Sequence, residues 1–149
     1  MEVLERYDNV GSIVDCRENG WGFTYPKLHR FKPEFNAKER AKAHIDGSLD
    51  FSVNQARLQR MIAACKKRNI EVVIVSLPQT ELYTTYLNPV KVQKIFKTCA
   101  DFAIKNDNVR YLNLFTDKRF VDEDFFDADH LNDVGAVKCS KIVDAFLNE

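Results

Sequence analysis

The sequence has no Cys-x-x-Cys pair. Its four cysteines, Cys16, Cys65, Cys99 and Cys139, are scattered, and three of them fall at apolar positions of expected helices, which argues against a disulfide framework or a zinc knuckle. It has no apolar run approaching the length of a membrane span, and residues 1–10 carry three acids with no signal-peptide apolar core. The chain therefore reads as soluble and without an address; its compartment stays open, because a signal or anchor can belong to a longer precursor. It has no excess of either charge: 22 Lys and Arg stand against 22 Asp and Glu, so nothing in the overall field favours nucleic acid or an anionic membrane. Small or neutral partners fit better, and no cofactor is expected. Internal repeats and low-complexity tracts are also lacking.

What is present is enough apolar material for one core. With 149 residues, 45% of them hydrophobic, the expectation is a single domain over residues 1–149. Composition changes near residue 50. From Val53 to Arg68, Leu58, Met61, Ile62 and Cys65 recur at helical spacing, with Ser52 placed to cap the helix and Asn69 to stop it. Ile70 to Leu77 is a nearly continuous run rich in valine and isoleucine, as in a strand buried on both faces, closed by Pro78. A second helix is expected from Pro89 to Lys105, with Val92, Ile95, Phe96, Cys99 and Phe102 on one face. A second strand follows from Val109 to Phe115, and a last helix from Asp133 to Leu147. This alternation predicts an α/β fold with a mostly parallel sheet covered by helices. Ligands would gather at the strand ends, near Ser76 to Thr80 and Phe115 to Asp117.

Residues 1–50 are less regular. Val10 to Val14 has the pattern of a short strand and Ala37 to Ile45 that of a helix. Between them, Trp21, Phe23, Tyr25, Phe31 and Phe35 are read as loop aromatics packing on the body rather than as a ligand-stacking patch.

The sharpest chemical signal is Asp127-Ala-Asp-His-Leu-Asn132, where a loop enters the last helix. An acid three residues before a histidine can reach the imidazole Nδ1 proton. That fixes the tautomer in which Nε2 takes a proton from a nucleophile.

This block, set before a C-terminal amphipathic helix and after a helix-strand-helix-strand series, resembles the last block of the SGNH, or GDSL-like, hydrolases. The resemblance runs from about residue 53 to the C-terminus, and within the family it is nearest to bacterial members related to cell-envelope acyl-transfer proteins. It implies a three-layer, flavodoxin-like α/β/α sandwich and serine-dependent removal or transfer of acyl groups. By the matching positions His130 is the base and Asp127 its orienting acid, while Asp129 matches no role. The family's Gly-Asp-Ser turn and its later oxyanion Gly and Asn are not found. Asp46-Gly47-Ser48 has the wrong order, and Ser12 follows Gly11 without the acid. The expectation is a sheet incomplete at its N-terminal side, with the serine upstream.

Other residues have plainer readings. Asp122, Glu123, Asp124, Asp127 and Asp129 beside His130 suit a divalent cation, but such loops are more often solvated, and no metal is expected. His29 and His44 read as surface residues. Ser76, Tyr83 and Tyr86 fall on the ligand side and are candidates to line a pocket for an acyl or sugar group. Two functions stay open: part of a serine esterase or O-acyltransferase acting on a small-molecule or carbohydrate acyl ester, inactive without its serine, or a non-catalytic α/β domain of the same shape. An uncovered edge of the strand Ile70 to Leu77 makes self-association a hypothesis.

Overall fold

A computed structural model describes residues 37–45 and 50–149. The expectations for Val10 to Val14, for the Trp21 to Phe35 aromatics, for Cys16 and His29, and for Ser12 and Ser48 lie outside the described residues. The chain is a mixed α/β protein; among the described residues, five helices accompany a two-stranded parallel sheet. In order these are α1 (Ala37–Ile45), α2 (Ser52–Lys66), β1 (Val72–Ser76), α3 (Glu81–Thr85), α4 (Pro89–Lys105), β2 (Val109–Asn113), a 3-10 turn (Asp122–Asp124) and α5 (Asp133–Leu147).

Local chemistry sets most of these boundaries. Asn88 caps α4 by accepting the N–H groups of Val90 and Lys91, and Pro89, which has no N–H to leave unpaired, opens the helix. Asn132 caps α5 through the N–H groups of Val134 and Gly135. At the end of α2, Asn69 adopts φ 55°, the left-handed conformation asparagine tolerates, and the Ile70 N–H closes back on the Cys65 carbonyl at 3.0 Å. Ser52 is not the cap of α2. It is the first helical residue, after Phe51, and its own N–H is taken by Asp50 Oδ1 at 2.8 Å. The helix α3 was not foreseen; five residues carry too little periodicity, and its signal is the Thr80 hydroxyl, which accepts the Tyr83 N–H.

The strands pair in parallel from Val72 opposite Val109 to Ser76 opposite Asn113. Alternation then separates two cores. Val72, Ile74 and Val109 pack with Leu58 and Ile62 of α2 and Phe102 and Ala103 of α4. Val75 and Leu112 point the other way, onto Leu114, Phe120, Phe125 and, from α5, Cys139, Ile142 and Val143. Every residue of β1 is only half-buried, so the expected burial on both faces is incomplete: β2 is the sole strand beside it among the described residues. A third cluster stands over the ends of the strands. There Ala37 and Ala41 of α1 pack against Tyr83, Leu87 and Ala128. This contact brings α1 onto the loop that carries His130.

Cys65, Cys99 and Cys139 are free thiols. Among the described residues no helix is long and apolar enough to cross a membrane.

Candidate functional site

The loop from Phe120 to Asn132 is held as a closed turn by its own backbone. Phe125 bridges Leu131 in antiparallel fashion, the Phe126 N–H donates to the His130 carbonyl at 2.8 Å, and the Asn132 N–H donates to the Asp124 carbonyl at 2.9 Å. The Asn132 side chain serves both ends, capping α5 with Oδ1 while Nδ2 donates to the carbonyls of Glu123 and Phe125. Gly135 is required here, because a Cβ at this position would stand 2.1 Å from the Asp124 carbonyl oxygen. From the sheet side, Thr80 Oγ1 donates to the Ala128 carbonyl at 2.8 Å. The loop is thus fixed to both α3 and α5, a supported setting for the side chains at its tip.

At that tip, both oxygens of Asp127 lie 2.9 Å from His130 Nδ1, and Oδ1 also accepts the backbone N–H groups of His130 and Asp129. The contact that the spacing of the two residues predicts is present. Burial alone would raise the Asp127 pKa, but the hydrogen bond from His130, the Asp129 N–H and the charges of His130 and Arg40 outweigh it and hold the carboxyl below its usual range.

The other half of the cluster comes from α1. Arg40 makes a two-pronged contact with Asp129, through Nε to Oδ1 and through Nη2 to Oδ2 at 2.9 Å, and its Nη1 lies 3.8 Å from Asp127. The Asp129 side chain is only 7% exposed, so its charge is expensive to bury without such a counter-ion. Asp129 in turn raises the already high Arg40 pKa. Arg40 Nη2 also stands 3.1 Å from His130 Nδ1 and 3.5 Å from Nε2. A guanidinium has no acceptor, and an Nδ1 facing two carboxylate oxygens must itself donate. The Arg40–Nδ1 approach is therefore no hydrogen bond; Nδ1 donates to Asp127, and Arg40 Nη2 stands 3.5 Å from Nε2.

His44, one turn along α1, completes the group. Its Nδ1 is 3.0 Å from the Tyr83 hydroxyl and 3.4 Å from Asp129 Oδ2. It is half-exposed, as a surface residue would be, but it has an acid neighbour that its sequence surroundings did not suggest. Burial raises the Tyr83 pKa, and the Asp129 charge raises it further against the opposing effect of Arg40, so the hydroxyl keeps its proton.

Of the three pocket candidates, Ser76 and Tyr83 line one cavity, together with His44. Tyr86 does not join them. It is 47% exposed and lines a separate depression with Lys38 and Leu87, because the end of α3 turns it away. Ser76 Oγ is hydrogen-bonded to the Tyr111 hydroxyl at 2.8 Å. Arg40, the residue that sequence reasoning missed, stands 89 positions from its partner Asp129, and no local pattern signals such a pairing.

Asp127, Asp129 and His130 offer ligand atoms within 4.8 Å of one another, a spacing compatible with a cation. The Arg40 guanidinium already brings a positive charge to the same carboxylates. The arrangement can orient an imidazole, hold its tautomer and balance two adjacent carboxylates with one arginine.

No curated protein and no solved structure matches the chain. Residues 27–149 match an uncharacterised protein family, and the chain belongs to that family.

Proposed function

We propose that this chain supplies the acid and base of an SGNH-type serine esterase or O-acyltransferase. In that reading Asp127 holds His130 through Nδ1. His130 Nε2 takes the proton of a serine hydroxyl as its oxygen attacks an ester carbonyl, then returns it to the departing alcohol. The 149 residues hold no Gly-Asp-Ser turn, so in this reading the serine belongs to a longer protein. The substrate class is a small-molecule or carbohydrate acyl ester. The single observation that carries the reading is the pair of 2.9 Å contacts from Asp127 to His130 Nδ1, on a loop fixed to the helix behind it. The packing of α2 and α4 against one side of the strands and α5 against the other supports a three-layer, flavodoxin-like sandwich. Such a layout also places the loop at the strand ends, where α/β proteins bind ligands.

One observation favours the second reading, a non-catalytic domain of this shape. Arg40 Nη2 stands beside Nε2, the nitrogen a nucleophile must reach, and binds the neighbouring carboxylate as a structural ion pair would. Hydrolysis of a short-chain nitrophenyl ester, with fluorophosphonate labelling, separates the two. The chain alone should show neither. The longest natural reading frame that contains it should show both, and His130→Ala should lower turnover by about 1,000-fold or more. Turnover indifferent to His130→Ala, or absent from that longer protein, would leave the non-catalytic reading.

A further inference from the structure

Among the described residues, β1 uses one of its edges and leaves the other open. The Val72 N–H donates to the Asn108 carbonyl at 2.8 Å, and the Ser76 carbonyl accepts the Leu114 N–H at 2.9 Å. Alternate residues of a parallel ladder face the same neighbour, so Val72, Ile74 and Ser76 bond β2 while the N–H and C=O groups of Val73 and Val75 point to the opposite edge. Such a row of backbone groups is a template for another strand. Apolar surface flanks it: Ile70 and Leu77, just beyond the two ends of β1, are 48% and 55% exposed, and the strand between them is only half-buried. Parallel strands are ordinarily covered on both faces by a wider sheet and its helices.

We propose that residues 10–14 of this chain, Val-Gly-Ser-Ile-Val, add to the open edge of β1 as a third parallel strand. The helices select the edge. In the crossover from β1 to β2, α4 lies against the face that carries Val72, Ile74 and Val109, and α2, which leads into β1, lies against the same face. Crossovers between parallel strands are almost always right-handed. Two successive crossovers on one face share that hand only if the sheet advances in one direction, so a strand that feeds α1 and α2 belongs beside β1 and not beyond β2. The sequence selects the segment. Residues 10–14 are an uncharged run bounded by Asn9 and Asp15, and alternation puts Val10 and Val14 on one face and Ile13 on the other, as a strand covered on both faces requires. Trp21, Phe23 and Tyr25 also alternate, but they put three rings on one face and leave Gly22 and Thr24 for the other. Residues 15–36 supply more than the dozen or so residues that a parallel crossover needs. A strand in this orientation brings the residues after Val14 to the end of the sheet where α1 meets Ala128, the side of the His130 loop. The assignment does not depend on the esterase reading.

The full chain, isotope-labelled, is followed by NMR at low and at high protein concentration. The Val73 and Val75 amides should exchange about 100-fold or more slower than in an unstructured chain, as the Val72 amide bonded to β2 does. Both should show NOEs to backbone protons of residues 10–14, unchanged by concentration. Neighbouring residues of a strand point to opposite edges, so one of Ser12→Pro and Ile13→Pro removes an N–H from the new ladder. That variant should speed exchange at Val73 or Val75 by about 10-fold or more while the amides of α5 stay as protected as before. The NOEs of the natural chain decide the matter where a proline variant fails to fold. Unprotected Val73 and Val75 amides, NOEs from them to residues 21–25 instead, or exchange there that neither proline changes would overturn the assignment. Protection that grows with concentration, with NOEs between labelled and unlabelled chains in a mixed sample, would give the edge to a second copy and overturn it equally.

Discussion

Two carboxylates of one loop, Asp124 and Asp129, are buried to nearly the same degree, with side chains 4% and 7% exposed, and each meets one cation. Their settings differ. Asp124 pairs with Lys138 of α5 and accepts the Val121 N–H at 3.0 Å, while Lys138 also donates to the Arg119 carbonyl. Its neighbourhood is backbone, and its pairing pins a turn to the helix that follows it. Asp129 meets Arg40 from a distant helix, and around that guanidinium stand a second carboxylate and two imidazoles. The same chemistry, an ion pair in a poorly solvated place, thus builds shape in one case and tunes titratable groups in the other. What surrounds the pair decides which.

That contrast can be broken in steps of decreasing size. Gly135→Ala drives a methyl group into the Asp124 carbonyl and should cost about 3 kcal/mol in urea unfolding, at the high end of overpacking effects because backbone rather than a flexible side chain must move. Asp124→Asn should cost about 2 kcal/mol, less than a fully buried broken pair because Lys138 keeps partial access to water. It should leave the imidazole signals of His130 in place. Arg40→Gln should cost about 2 kcal/mol, because it leaves the buried Asp129 charge without its counter-ion while the guanidinium itself is partly solvated, and should also shift the His130 ring resonances in a 15N–1H NMR spectrum. Lys138→Met should not. If the two cation removals change the His130 signals alike, the distinction between the pairs fails.

The smallest effect is in acid. The Asp127 pKa is depressed in the folded protein, so its stabilisation is complete above the unfolded value of about 3.9 and is lost as pH falls through the lower folded value. As the pH falls below about 4, urea stability should fall more steeply for the natural protein than for Asp127→Asn. Equal slopes would mean that Asp127 gains nothing from its His130 and backbone donors.

Comparing sequence with structure shows where pattern reading stops. The bounds of α4 and α5 follow directly from helical periodicity, and the contact between Asp127 and His130 follows from their spacing, because both are properties of neighbouring residues. Ser52 was misplaced as a cap because Asp50, two residues earlier, competes for the same role. Arg40 escaped because its partner is remote in sequence, and a nine-residue helix containing two lysines and an arginine reads as an ordinary solvated surface. The separation of Tyr86 from Tyr83 depends on α3, too short to leave a periodic mark.

The docking of α1 also has a kinetic side. A helix of nine residues is too short to persist by itself in water, so α1 forms only while Ala37 and Ala41 lie against Tyr83, Leu87 and Ala128. Its arginine therefore reaches Asp129 only when that packing is made, and the contact closes a loop of nearly ninety residues, a pairing that forms late when chains fold from local contacts outward. Amide exchange along α1 and the electrostatic state of the His130 loop are, for this reason, two readings of one opening event.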